Sequence, residues 1–131
     1  MIVPNSMSNK LFIDDDNLNI ENRRVLLRVD FNVPLVSGND TELVVADNQR
    51  ISAAIPTIEY LFNVKKVHSI TLLSHLGRPD GELRPELSLF PVSKELKRLI
   101  PDRTIRFVAN DCTSKESIET CASPNKGKLL R

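Results

Sequence analysis

Arg24-Val-Leu-Leu-Arg-Val-Asp-Phe-Asn-Val-Pro34 joins a β-branched and leucine-rich run to a polar phrase, and Ser69-Ile-Thr-Leu-Leu-Ser-His-Leu-Gly-Arg-Pro79 has the same construction. The runs, Val25 to Val29 and Ser69 to Leu73, read as buried parallel strands, because strands covered on both faces show near-continuous apolar sequence. In open α/β sheets ligands bind outside the carboxyl ends of such strands, so the polar phrases stand where they can converge on one small molecule. One phrase supplies Asp30 and Asn32, the other His75 and Arg78, and Arg50 comes from the segment between them. Arginines and an imidazole facing hydrogen-bonding side chains suit an anion.

Outward from these phrases the chain alternates β and α, which predicts a Rossmann-like three-layer α/β fold with a parallel sheet flanked by helices. The first strand spans Arg24 to Asp30, followed by a turn-rich loop from Val36 to Asn48 around Ser37-Gly38-Asn39-Asp40. A helix follows, with Ile51, Ala54, Ile55, Ile58 and Leu61 on one stripe and Asn48 as its N-cap. Pro56 interrupts its ladder at a cost of about 3 kcal/mol, which predicts a kink or a fresh helical start. The second strand is Ser69 to Ser74, and the exposed loop Pro79 to Glu86 follows it. Ser88 is expected to cap the next helix, with Leu87 and Val92 forming a hydrophobic staple and Pro91 in the permissive first turn. Thr104 to Ala109 reads as a third strand. Thr113-Ser-Lys-Glu116 reads as a capping box for a short helix ending before Pro124, and Gly127 to Arg131 as the start of a fourth strand. A sheet cut there is expected to leave Ile70, Leu72, Ile105 and Phe107 partly uncovered, with an unpaired edge and marginal stability.

The 131 residues, 40 % hydrophobic and 27 % charged, suit a globular α/β core. Eighteen basic against 17 acidic side chains give a net charge of +1, with no dense basic stretch to clamp a nucleic-acid backbone. No stretch approaches the ~20 apolar residues needed to span a bilayer and no leader pattern opens the chain, so the expectation is a cytoplasmic protein without nucleic-acid or membrane partners. Cys112 and Cys121 lack companions at metal-ligand spacing and read as reduced thiols, with no metal site expected. His68, Lys65 and Lys66 read as surface groups.

Four phrases, RVLLRVDFNVPL from Arg24, DNQRI from Asp47, SHLGRPDGE from Ser74 and SLFPVSKEL from Ser88, together resemble the amino-terminal domain of the phosphoglycerate kinase family. The resemblance is clearest from Arg24 to Leu99 and continues more weakly to the end. It divides the chain into a variable extension, residues 1–10, and a partial phosphoglycerate-binding domain, residues 11–131, of a two-domain kinase. Two departures stand out: the loop Val36 to Ala46 is a few residues longer than usual, and Met1 to Ser6 precedes Met7-Ser-Asn-Lys, which resembles a normal family start.

What the resemblance implies is reversible phosphoryl transfer between ATP and 3-phosphoglycerate, giving ADP and 1,3-bisphosphoglycerate, a step of glycolysis with magnesium on the nucleotide. Matched residue by residue, Asp30, Phe31, Asn32, Arg50, His75 and Arg78 fall on the triose-substrate site, with Gln49, Ser74 and Gly77 as neighbours. Arg50 takes the catalytic role, since a planar guanidinium can bind a carboxylate and stay cationic as charge moves onto the transferring group. His75 and Arg78 are expected to meet the distant phosphate. Read one at a time, Asp30 is a turn former, Asn32 a loop amide and Arg50 a solvated charge near a helix start. Their co-occurrence in four ordered phrases favours the substrate site.

None of Gly38, Gly77, Gly81 and Gly127 belongs to a phosphate-cradling or dinucleotide loop. The expectation is therefore a truncated chain holding part of the substrate half of a monomeric enzyme, with no ATP, ADP or magnesium bound here and no activity alone. The competing expectation is a short non-catalytic protein that binds a phosphorylated three-carbon acid or a protein partner.

Overall fold

The computed structural model describes residues 10–109 and 111–123 and the backbone of 128–130. The 1–9 part of the variable extension, Pro124 and the ends of the last segment lie outside the described residues. The elements are strands β1 (Arg24–Arg28), β2 (Leu35–Ser37) and β3 (Leu43–Val45), helix α1 (Gln49–Asn63), strand β4 (Ser69–Leu73), helix α2 (Phe90–Leu99), strand β5 (Thr104–Arg106), helix α3 (Lys115–Ala122) and strand β6 (Lys128–Leu130). The main sheet is parallel with order β1-β4-β6-β5, and β1 pairs with β4 in the register Val25 to Ile70 and Leu27 to Leu72.

Strand order dictates the layers. The steps β1 to β4 and β4 to β5 run one way along the sheet, and β5 to β6 runs back. Right-handed crossovers therefore put α1 and α2 on one face and α3 on the other. Arg24, on the α3 side of β1, confirms this by donating from Nη1 to the Ala122 carbonyl at 2.5 Å and the Cys121 carbonyl at 3.4 Å, at the carboxyl end of α3.

The core lies on the α1 and α2 face. Ile51, Ile58, Leu61 and Phe62 of α1 and Val92 and Leu96 of α2 pack against Ile70 and Leu72, with Val25, Leu27 and Val29 half-buried beside them. Ile70 and Leu72 are 0 % and 2 % exposed, which corrects the expectation that they would be partly uncovered. Two full helices cover their face. Ile105 and Phe107 are half-buried, as expected. Exposure falls instead on the opposite face at Leu26, 66 % exposed. β1 is an edge strand among the described residues, and its burial alternates, with Val25 and Leu27 half-buried and Leu26 exposed, so its apolar run is covered on one face and not on two.

Several local expectations shift. The loop from Val36 to Asn48 contains an antiparallel hairpin, β2 with β3, that pairs Val36 with Val44. Helix α1 runs through Pro56 without a fresh start; the ring sits on the exposed side, where water can satisfy the carbonyl that loses its donor. Asn48 holds the N-cap position, its carbonyl accepting from Ser52 N at 2.9 Å, but its side chain donates to Glu95 of α2 at 2.7 Å. The Asp47 carboxylate takes the Gln49 N–H instead. Leu89, not Ser88, holds the cap position of α2, while Ser88 Oγ accepts from Phe90 N at 3.2 Å. Ser114, one residue past Thr113, caps α3 by accepting from Ser117 N at 3.1 Å. Lys65 is not a solvent group: its ammonium donates to the carbonyls of Asp15 at 2.8 Å and Leu18 at 3.2 Å, fastening the entry segment to the end of α1.

Candidate functional site

β1 and β4 are parallel neighbours, so the phrases that follow them leave the sheet side by side. Val29 N still donates to the Leu73 carbonyl at 2.9 Å, and one step further Ser74 Oγ takes over by accepting from Phe31 N at 2.9 Å. Phe31 itself is 0 % exposed. Its ring is a core anchor, leaving only its backbone to reach a ligand, a correction that alternation along the strand end explains: Asp30 and Asn32 turn outward because Phe31 turns in.

Asp30 organises the first phrase. Its Oδ1 accepts from Asn32 N at 3.1 Å and its Oδ2 from Arg50 Nη1 at 2.7 Å. The Asn32 N–H, then the Arg50 guanidinium and finally the charge of His75 hold the Asp30 carboxyl below the usual carboxylate range, against a desolvation penalty. Asp30 is thus a fixed anion at neutral pH and unsuited to be a base. Arg50, the second residue of α1, is half-exposed and spends one N–H on Asp30, leaving most of its donor fork toward solvent.

Asn32 connects the two phrases. Its side-chain carbonyl accepts from Gly77 N at 3.0 Å, which leaves its amide group as a donor. Gly77 has φ +61°, a conformation that favours glycine, and a Cβ there would stand 2.8 Å from Leu87 Cδ2. His75 is exposed and near enough to Asp30 to act on its charge. Arg78 is exposed, with no hydrogen bond or ion pair among the described residues. Gln49 opens α1 with its side chain exposed. The structure therefore joins Asp30, Asn32, Arg50 and Gly77 by direct bonds, ties Ser74 to the Phe31 backbone beside them and brings His75 alongside. No bond draws Arg78 or the Gln49 side chain into the group.

These residues form an open ledge, not a cavity. A concavity of about 750 Å³ lies at the other end of the sheet against Asn22, Phe62, Lys66, Val67 and Arg103, and contains none of the expected site residues. The ledge is the better candidate, because it gathers the expected residues, whereas at the concavity Arg103 is already bidentate to Glu59. Sequence reasoning missed Leu87 as a support of the site. An apolar residue after a polar loop carries no signal of the glycine it will cover.

The family model for phosphoglycerate kinase matches residues 15–130. Curated relatives include phosphoglycerate kinase of Dictyostelium discoideum, 42 % identical over 126 residues, and a probable phosphoglycerate kinase of Caenorhabditis elegans, 43 % identical over 125. The matches cover 96 % and 95 % of this chain and 28 % of either relative, so the chain spans little more than a quarter of their length. Among solved structures, phosphoglycerate kinase from Coxiella burnetii superposes with a TM-score of 0.62 at 29 % identity, over 87 % of this chain and 25 % of that one. The enzyme from Pyrococcus horikoshii OT3, 23 % identical with a TM-score of 0.66, supports the fold alone. With a family model spanning nearly all of its residues and the parallel α/β fold of those structures, the chain belongs to the phosphoglycerate kinase family.

Proposed function

We propose that this chain carries the phosphoglycerate side of a phosphoglycerate kinase site, with Arg50, His75 and Arg78 facing the anionic substrate and Asp30 and Asn32 meeting its hydroxyl. The observation that carries this reading is the bonded series Arg50–Asp30–Asn32–Gly77, which draws the ends of β1, α1 and β4 into one cationic ledge.

Chemistry on such a ledge is positioning and charge cancellation. The acceptor is an ionised carboxylate, so no base is required; Arg50 would hold that carboxylate and remain cationic while negative charge spreads over the phosphoryl oxygens. Asp30 keeps Arg50 aimed. Asn32, its carbonyl taken by Gly77, presents only its N–H donors, which suits a hydroxyl or carboxylate oxygen. Gln49, Ser74 and Gly77 shape the backbone around these groups.

The described residues do not fit a magnesium nucleotide: no cluster of three His, Cys, Asp or Glu could hold a metal, and no glycine-rich phosphate loop is present. The family reading gives ATP to other parts of the longer relatives. It also makes the whole enzyme a cytoplasmic monomer. Among the described residues no helix is long and apolar enough to cross a membrane.

His68 and His75 stand at opposite ends of β4 and give the test. In an NMR titration with 3-phosphoglycerate the His75 ring resonances should shift, weakly and less at high salt, while those of His68 stay put. No movement at His75, or equal movement at both, would overturn the proposed site. A coupled assay of the 131-residue chain with ATP should show no turnover above a protein-free control. Turnover would contradict the division of labour.

A further inference from the structure

The geometry points to Leu87 as a positioning residue of the ledge: its isopropyl group, seated on the open face of Gly77, holds the Gly77 N–H on the Asn32 carbonyl and so sets where His75 and Arg78 stand opposite Asp30 and Arg50.

Gly77 is held from two sides. From one side Asn32 Oδ1 accepts its N–H at 3.0 Å. From the other, Leu87 presses so closely that an ideal Cβ on Gly77 would lie 2.8 Å from Leu87 Cδ2 and 3.2 Å from Cδ1. The backbone there is at φ +61°, so the turn bearing His75 and Arg78 is unusual in conformation and exposed on its outer side. Leu76, 6 % exposed, anchors the turn just before Gly77, but Gly77 has no side chain of its own to pack, so its N–H opens readily unless a neighbour covers it. Leu87 supplies that packing.

Leu87 is itself well anchored. It ends a 3-10 turn, Pro85–Leu87, in which its N–H donates to the Arg84 carbonyl at 2.9 Å and Ser88 N donates to the Pro85 carbonyl at 3.0 Å. Three residues later α2 begins, with Val92 and Leu96 fixed in the core. A mechanical path thus runs from α2 through Leu87, Gly77, Asn32 and Asp30 to Arg50 on α1. In this reading Leu87 acts on the ledge through Gly77.

This inference rests on the proposed site for its consequence, but not for its first test. Hydrogen exchange of the Gly77 amide, measured by NMR, is compared with that of the core amides Ile58 and Ile70 in the wild-type chain, Leu87→Ala, Leu87→Val and Leu87→Met. Relative to the core amides, Gly77 should exchange about tenfold faster in Leu87→Ala and by a smaller factor in Leu87→Val, with Leu87→Met restoring the wild-type rate within about twofold. The same variants are then titrated with 3-phosphoglycerate, where Leu87→Ala should weaken binding about fivefold and Leu87→Met should recover it.

Unchanged Gly77 exchange in both truncations, or a rise only in step with Ile58 and Ile70, overturns the inference. If Leu87→Ala does not fold, Leu87→Val against Leu87→Met carries the same comparison. Wild-type chain that fails to bind 3-phosphoglycerate while Gly77 responds as stated would sink the ligand reading and leave the hold of Leu87 on Gly77 supported.

Discussion

The two ends of the parallel sheet use the same chemistry in opposite ways. At the carboxyl end Arg50 meets Asp30 through one 2.7 Å contact, both side chains more than half exposed. At the amino end Arg103 is 22 % exposed and Glu59 31 %; Arg103 donates from Nε and Nη2 to the two Glu59 oxygens at 3.2 and 2.7 Å and from Nη2 to Asn63 Oδ1 at 2.8 Å, with its guanidinium 4.5 Å from the Phe62 ring centre. One arginine is tied down by its own fold on two sides. The other keeps donors in reserve. A bidentate fork over an aromatic face is a structural staple, whereas an underused fork held in place by a single carboxylate contact is poised to take an anion.

The sharpest way to break this contrast is to remove each arginine and read both activity and stability. In a full-length enzyme carrying this sequence, Arg50→Ala should lower kcat by about 10² to 10³, a loss of roughly 3 to 4 kcal/mol, the scale of a single electrostatic stabiliser acting on developing charge. The melting curve should barely move, because exposed pairs contribute little to folding. Wild-type kcat with only a raised KM would remove Arg50 from the transition state.

Arg103→Ala should do the reverse. It leaves the partly buried Glu59 carboxylate with only the Asn63 amide and uncovers Phe62, and a loss of about 2 kcal/mol in chemical denaturation is expected, with affinity for 3-phosphoglycerate unchanged once the protein is folded. Equal loss of affinity in Arg103→Ala and Arg50→Ala would erase the distinction between the two ends.

How much of this was legible beforehand follows from the range of the forces involved. The β1 and β4 runs and the stripe of α1 were readable because apolar periodicity is local and strong, and the polar phrases after the strands could be placed on one edge because parallel strands end together. The hairpin was not readable: Leu35-Val-Ser and Leu43-Val-Val are three-residue strands whose pairing depends on packing against α2, where Lys94 forms an ion pair with Glu42. Nor was the one-sided cover of β1, since the same apolar run serves a strand covered on one face or on two. Cap positions slid by a residue because neighbouring side chains compete for the same N–H groups, as Asp47 does with Asn48. The Glu59–Arg103 staple joins residues 44 apart, and nothing in either local sequence announces it.

Between the two ends, Glu95 offers a pH test of how the helices are held. Its carboxyl is lowered to about 2 by the Arg98 guanidinium first and by Asn48, against desolvation. The ordinary value is 4.5, so the folded state prefers the charged form. This contribution is fully present above pH 4.5 and is lost as pH falls from there through 2. Solvent screening around the exposed Arg98 limits it to about 1 kcal/mol. Glu95→Gln should be less stable than wild type at pH 7 and approach it near pH 2; curves that stay parallel across that window would show that the Glu95 charge, paired first with Arg98 of its own helix and then with Asn48 of α1, does not stabilise the fold.

The smallest expected effect belongs to Arg78, and it separates the two cations that should differ most in kind. Arg50 is oriented by Asp30, so its charge sits at a defined point before ligand arrives. Arg78 has no partner among the described residues and hangs from the Gly77 turn, so it must be ordered when a phosphate binds. Ordering a long side chain offsets part of the attraction it brings, and an exposed charge in water at physiological salt is screened beyond about 8 Å. Arg78→Ala should therefore raise KM for 3-phosphoglycerate about threefold and leave kcat nearly intact, the pattern of lost uniform binding. The effect should shrink as salt rises, because the wild-type advantage is the part that salt screens. Initial rates at saturating ATP across a 3-phosphoglycerate titration, at low and high ionic strength, decide it: a kcat loss as large as that of Arg50→Ala would place Arg78 on the transferring group and give the two arginines one role.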